Sequence, residues 1–177
     1  MAIEIVFETH SWSEDNEHGT ASGWQDSQLS PRGRDAAQAL GERRRADGLQ
    51  AVFSSDLSRA VETARIAFAG SPIPLFSDWR LRECDYGEWN GHPANQVHGD
   101  RLQYLDRPYP GGESWRQAVY RVGLFLGDLP LRWRGARVLV IGHVATRLAF
   151  EYFLNDASLE ALVRADSTWQ EGWEYRL

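Results

Sequence analysis

Two histidines, an arginine and a carboxylate in this chain stand where they could act together. His10 follows residues 3–7, a short apolar run with the β-branched and aromatic content of a buried strand. His143 follows a second such run, VLVI at 138–141, and Arg59 falls in the first turn of the helix expected after a third, AVFS at 51–54. In open α/β sheets the carboxyl ends of the strands border the crevice where ligands bind, so a parallel arrangement directs all three side chains into one place. Two imidazoles and a guanidinium beside helix N-termini suit a tetrahedral dianion. The guanidinium offers a planar fork of donors, and the first helical N–H groups have no partner within the helix. A neutral imidazole can also attack phosphorus, dividing one hard displacement into two through a covalent intermediate. The leaving oxygen then needs a proton, which a carboxylic acid of raised pKa can supply, and Glu83 is the candidate.

The elements that must position these residues read as strands alternating with helices. Residues 11–28 are polar, contain Gly19 and Gly23 and show no clear period, as expected of a long loop over the sheet edge. Loops of this length inside compact domains tend to be functional. Ser30 before Pro31 marks a helix start, an N-cap hydroxyl ahead of a proline at the first helical position, and that helix should run to about Asp47, where Gly48 ends it. Asp56 is read as the cap of a second helix through Phe68, with Val61, Ala64 and Phe68 on one face. Pro72 and Pro74 bracket the next connection, with residues 73–76 a weaker strand candidate. The stretch 79–110 is irregular, with one short helix expected between Ala94 and Tyr104, and reads as an insertion over the active edge. From Ser114 a helix carries Trp115, Val119, Val122, Leu126 and Leu129 on one face and is expected to close at Pro130. A helix over 145–154 and an edge strand over 173–177 complete the chain. The alternation predicts an α/β fold, a three-layer sandwich whose central, mostly parallel sheet is flanked by helices, organised as a single domain over 1–177.

Composition narrows the function classes. Net charge is −6 with a pI near 5.4, so the clustered basic footprint of a nucleic-acid binder is not expected, and Arg43, Arg44 and Arg45 read as a solvated helix face. The single cysteine, Cys84, excludes an intrachain disulfide and a thiolate zinc cluster, which suits the cytoplasm. His92 and His98 read as ordinary loop residues without metal-ligand spacing, so no metal or other cofactor is expected. No apolar stretch approaches the roughly 20 residues that span a bilayer, and no membrane partner is expected. Eight tryptophans are many for 177 residues; they belong in the core, around its edges, or in the walls of a cleft.

In the order of its motifs the chain resembles the histidine phosphatase superfamily, the phosphoglycerate mutase-like proteins, over nearly its whole length. Asn16 lies six residues after the histidine, Gly23, Trp24, Leu29, Ser30 and Gly33 resemble the turn into the first helix, and SSDLSRAVETA spans 54–64. LRECDYGEWNG at 81–91, PGGES at 110–114 and VLVIGHVATR at 138–147 follow in the family's order. The resemblance implies that His10 is the nucleophile, that Arg59, Asn16 and His143 hold the phosphoryl oxygens, and that Glu83 protonates the leaving alcohol before activating the attacking water. It implies a compact, metal-independent phosphatase acting on a small phosphorylated metabolite, as a monomer or homodimer. The short connection between Glu83 and Pro110 favours that branch over a phosphoglycerate mutase.

The chain also departs from the family. Thr9, His10 and Ser11 stand where the family has Arg-His-Gly, so one hydroxyl replaces a guanidinium in the phosphate pocket. A charge-assisted hydrogen bond is worth roughly 1.5 to 3 kcal/mol, and loss of one transition-state donor costs about 10² to 10³ in rate. Glu8 occupies a position that is usually apolar; it either orients His10 or meets a cationic part of the substrate, or it pairs with a nearby arginine for structure. Gly142 and Val144 flank His143 where serine and glycine are usual. Arg147 either reaches the pocket or caps the sheet surface. The departure at Thr9 leaves a second class of function open, a non-catalytic descendant that binds an anionic ligand or a protein partner.

Overall fold

The computed structural model describes residues 1–165 and 169–177. Along the chain its elements are β1 (Glu4–Thr9), α1 (Glu14–Glu17), β2 (Thr20–Ala21), α2 (Pro31–Arg44), β3 (Ala51–Ser54), α3 (Ser58–Ala67), β4 (Leu75–Ser77), β5 (His92–Pro93), α4 (Ala94–Gly99), α5 (Trp115–Trp133), β6 (Arg137–Gly142), α6 (Val144–Leu154), α7 (Leu159–Arg164) and β7 (Trp173–Arg176). The main sheet has the order β4-β3-β6-β1-β7. Its pairings are parallel except that of β7, which joins β1 antiparallel at the edge.

The central strands are apolar on both faces because both faces are covered. Val6, Val52, Leu139 and Ile141 pack with Leu40 of α2 and Ala60 and Ala64 of α3. Ile5, Phe7, Val138 and Val140 pack with Trp115, Val122 and Phe125 of α5 and Phe150 of α6 on the other side. The result is the expected α/β architecture, a mostly parallel sheet between helical layers. Register then decides where the chemistry goes: Thr9 lies opposite Gly142, and Ser54 opposite Ile141. Three neighbouring strands therefore end level, and His10, Ser55 and His143 are the residues that follow them.

Several boundaries differ from expectation for local reasons. The loop over 11–28 contains α1 and the short β2, because Ser13 and Asn16 form a reciprocal capping box. Helix α2 starts at the Ser30 cap as expected but stops at Arg44, and Gly48 closes the following turn at φ +69°. Asp56 does not cap α3; its carboxylate accepts two 2.6 Å bonds from Arg82, and Leu57 takes the N-cap position without a side-chain bond. The weak strand candidate moves to Leu75–Ser77, in register with β3. Pro130 does not close α5, which continues to Trp133. It removes one backbone bond close to the end, while Leu126 and Leu129 just before it remain buried. The irregular stretch holds α4 and a 3-10 turn at Arg101–Tyr104 in place of one helix.

Of the arginine run at the end of α2, Arg45 is exposed as expected, whereas Arg43 and Arg44 are half-buried. Arg44 Nε donates to Glu8 Oε1 at 2.8 Å, Arg43 Nη2 lies 3.5 Å from Glu8 Oε2, and Arg45 Nε donates to the Ala67 carbonyl. Glu8, only 1% exposed, is thus the structural partner of arginines. Its presence in a strand face that is otherwise apolar follows from Arg44 opposite it. Removing one member of a buried pair strands the other charge, whereas replacing both by apolar groups is close to neutral. Arg44→Leu, which leaves Glu8 buried, should cost about 3 kcal/mol. Glu8→Leu should cost less, since Arg44 keeps Asp47 at 2.9 Å. The Glu8→Leu/Arg44→Leu pair should recover most of the loss in urea unfolding; additive losses would contradict this account.

Candidate active site

His10 lies one residue beyond β1, its N–H bonded to the Gly142 carbonyl at 3.0 Å. Its Nδ1 is 2.7 Å from the Ser11 carbonyl oxygen. A carbonyl only accepts, so Nδ1 carries the proton and the Nε2 lone pair is left unprotonated. Desolvation by burial, with the charge of Arg59 as second cause, lowers the pKa of His10 to about 3. The ring is therefore neutral near pH 7, the form that can attack phosphorus.

His143 caps α6 at the end of β6, with its ring centroid 4.9 Å from that of His10. It is 1% exposed, and burial followed by the charge of Arg59 holds its pKa well below the usual imidazole value. Ser55 Oγ sits 2.6 Å from Nε2, and Arg59 Nη2 sits 3.5 Å from Nδ1. The Thr146 hydroxyl accepts from the His143 N–H at 3.1 Å and donates to the Leu81 carbonyl at 2.9 Å, tying this histidine to the segment that carries Glu83.

Arg59 is 2% exposed and donates to the Gly23 carbonyl at 2.8 Å and the Gln25 carbonyl at 3.1 Å. Burial lowers its pKa, with Glu83 as the leading opposing influence, yet a guanidinium remains protonated in a protein. Gly23 is required in this clamp: its φ is +53°, and a Cβ there would lie 1.8 Å from Asn90 Oδ1.

Glu83 sits against the N-terminus of α6. Oε1 accepts from Ala145 N at 3.0 Å and Cys84 N at 2.9 Å, and Oε2 from Val144 N at 3.2 Å. The first N–H groups of a helix have no partner within it, and the Glu83 carboxyl oxygens satisfy those of Val144 and Ala145. From behind, the buried Arg121 and the indole of Trp24 both donate to the Glu83 carbonyl oxygen, at 3.1 and 2.7 Å. Asn16 has its Oδ1 engaged by Ser13 N and Ser13 Oγ at 3.0 Å each, which leaves Nδ2 as its donor.

Thr9, His10, Asn16, Arg59, Glu83 and His143 line one cleft of about 200 Å³. Glu8 and Arg147 do not belong to its lining. Arg147 lies over the ring of Trp173, 5.5 Å from its centroid, so it packs on the sheet edge. Glu8 borders an adjoining cleft of about 380 Å³ that shares Thr9, His10 and Asn16 and is walled by Trp12 and Trp169. The sequence reading missed four residues. Ser55 and Thr146 orient His143, and Tyr86 and His98 line the cleft of about 200 Å³. His98 is not an ordinary loop residue, as a pattern signal indicates: Ala94 and His98 are four apart, one face of a helix, and both reach the cleft.

The carboxyl edge of a mostly parallel sheet thus presents two neutral imidazoles, a buried guanidinium and a carboxylate in one cleft. The chain belongs to branch 1 of the histidine phosphatase superfamily, whose family model matches residues 5–167. It is 34% identical over 174 residues to a 2,3-bisphosphoglycerate-dependent phosphoglycerate mutase of Methylobacterium sp. (strain 4-46), covering 89% of this chain and 83% of that one. Among solved structures, Bacillus stearothermophilus YhfR superposes with a TM-score of 0.82 at 27% identity, covering 96% of this chain and 88% of that one. A mycobacterial glucosyl-3-phosphoglycerate phosphatase superposes with a TM-score of 0.78 at 25% identity over 92% of this chain and 84% of its own.

The lowered histidine pKa values have a signed consequence. An imidazole whose folded pKa lies below its unfolded value near 6.5 takes up its proton on unfolding, so stability falls as pH drops below about 6.5. For His10 the loss continues down to about 3. His10→Asn should make the decline in unfolding free energy between about pH 6.5 and 4.5 shallower by up to about one proton, measured by urea titrations across that range. An unchanged slope would contradict the neutral, desolvated ring.

Proposed function

We propose that this protein is a phosphatase that hydrolyses a small phosphomonoester through a phosphohistidine on His10. The observation that carries the reading is the state of His10, a neutral ring whose Nδ1 proton is held by Ser11, leaving Nε2 as nucleophile beside the buried cation Arg59. In the first step Nε2 attacks phosphorus as the P–O bond to the alcohol breaks, and Glu83 in its acid form protonates the departing oxygen. Arg59, Asn16 Nδ2 and the Thr9 hydroxyl offset charge on the phosphoryl oxygens, with His143 beside them. In the second step Glu83, now a carboxylate, takes a proton from water, which attacks phosphorus. The N–P bond breaks, and orthophosphate leaves.

A mutase of the kind found among the relatives is the second reading, supported by their sequence identity. A bisphosphoglycerate carries a carboxylate and a second phosphate, which call for further cations. Among the described residues lining the cleft, Arg59 is the one guanidinium or ammonium group. That supports hydrolysis over transfer.

Phosphate release without added metal, over a panel of phosphomonoesters, tests the proposal together with a phosphoglycerate mutase assay. Turnover should be lost in His10→Ala, and Thr9→Arg should raise it by restoring a donor worth about 10²-fold or more. Mutase activity exceeding hydrolysis would favour the second reading. A protein that binds phosphate but turns over nothing, with or without the Thr9 change, would be a non-catalytic anion binder.

A further inference from the structure

The alcohol half of the ester must lie along a particular wall of the cleft. In-line displacement puts the leaving oxygen opposite the attacking nitrogen of His10 and within reach of its proton donor. The wall beside Glu83 is formed by Tyr86, Ala94, His98 and Val144, with Thr20 and Ser22 also on the lining. Tyr86 is 2% exposed and is held among Tyr109 and Trp115, with ring centroids 5.1 and 6.1 Å away. Its hydroxyl lies 3.3 Å from His98 Nε2, and the two rings meet edge to face at 5.8 Å. With the phenol O–H donated to Nε2, His98 carries its proton on Nδ1 and presents one donor. Burial, and then the charge of Arg101, lower the pKa of His98 to about 4, so the pair is uncharged near pH 7.

From this geometry, and resting on the phosphatase reading, we infer that Tyr86 and His98 are specificity-determining residues that select phosphate esters of small, uncharged, hydroxyl-bearing alcohols. A hydroxyl both donates and accepts, and it matches a wall of phenol, imidazole and Thr20 and Ser22 hydroxyls. A carboxylate in the same position would give up its water without a cation on the lining to meet it, because Arg59 is occupied by the phosphoryl group and Arg101, though its charge reaches His98, lies outside the cleft and donates to the Ala165 carbonyl. The cleft of about 200 Å³ must hold the phosphate as well, so the part of the alcohol that meets the Tyr86–His98 wall is a few carbons long.

Three esters of one chain length test this: glycerol 3-phosphate with two hydroxyls, 3-phosphoglycerate with a carboxylate at the far carbon, and propyl phosphate with neither. The wild-type protein should prefer glycerol 3-phosphate to both in kcat/KM. His98→Ala should lower the glycerol-to-propyl ratio by about five- to tenfold, the worth of one neutral hydrogen bond. Tyr86→Phe keeps the packed ring and should lower the ratio in the same direction, His98→Asn should recover part of it, and His92→Ala, on an exposed imidazole outside the cleft, should leave it unchanged. Tyr86→Phe decides the matter if His98→Ala does not fold. A ratio unmoved by both cleft changes, or 3-phosphoglycerate hydrolysed as well as glycerol 3-phosphate, would overturn the inference while leaving His10-dependent hydrolysis intact. Absence of hydrolysis of every ester by the wild-type protein would remove the phosphatase reading and the inference with it.

Discussion

The site depends on strands β1, β6 and β3 ending level. Thr9 pairs with Gly142 and Ser54 with Ile141, so the residues just past each strand are neighbours in space although they are far apart along the chain. Beyond that edge the chain must turn, and each turn spends its polar side chains on holding the next. Ser55 meets His143, Thr146 ties the His143 backbone to Leu81, and Glu83 binds the first N–H groups of α6. A register slip of one residue in β6 would turn its side chains to the opposite faces and displace His143 from His10. The apolar packing on both faces of the sheet is what makes that slip costly.

Electrostatically the cleft is a buried cation among neutral rings. Desolvation keeps both imidazoles uncharged, and Arg59 is held by backbone carbonyls of the long loop without a directly bonded carboxylate. Such a site suits an anion at Arg59, with Glu83 as the carboxylate on the same lining. The neighbouring arginines do not replace the guanidinium absent at Thr9. Arg43, which borders the adjoining cleft, lies against Glu8 and Glu171, and Arg44 is bonded to Glu8 and Asp47. Glu8 therefore keeps the charge of α2 separate from that of the phosphate cleft.

The strands and the principal site residues were readable because each rests on a local signal. Val138–Ile141 is apolar throughout, Ser30-Pro31 ahead of a helical pattern is a helix-start signal, and His10, Arg59 and His143 follow from strand ends and helix starts. Other features depended on partners distant in sequence. Asp56 looks like a helix cap until Arg82 is placed beside it, and Arg43 and Arg44 look solvated until Glu8 is known. Pro130 reads as a terminator because the pattern carries no measure of how firmly Leu126 and Leu129 are buried. His98 reads as a loop residue for a similar reason: its place on the cleft comes from Tyr86, twelve residues earlier, and from the fold of the irregular segment.

The central claim, that His10 carries the phosphoryl group between two displacements, is tested most directly by the stereochemical course at phosphorus. A phosphorothioate monoester made chiral at phosphorus with two oxygen isotopes is hydrolysed in water of the third, and the configuration of the inorganic thiophosphate released is determined. Two in-line displacements, first by His10 and then by the acceptor, predict net retention. Net inversion would mean that the acceptor attacks the ester directly, and would contradict a covalent intermediate on His10 whatever its rate.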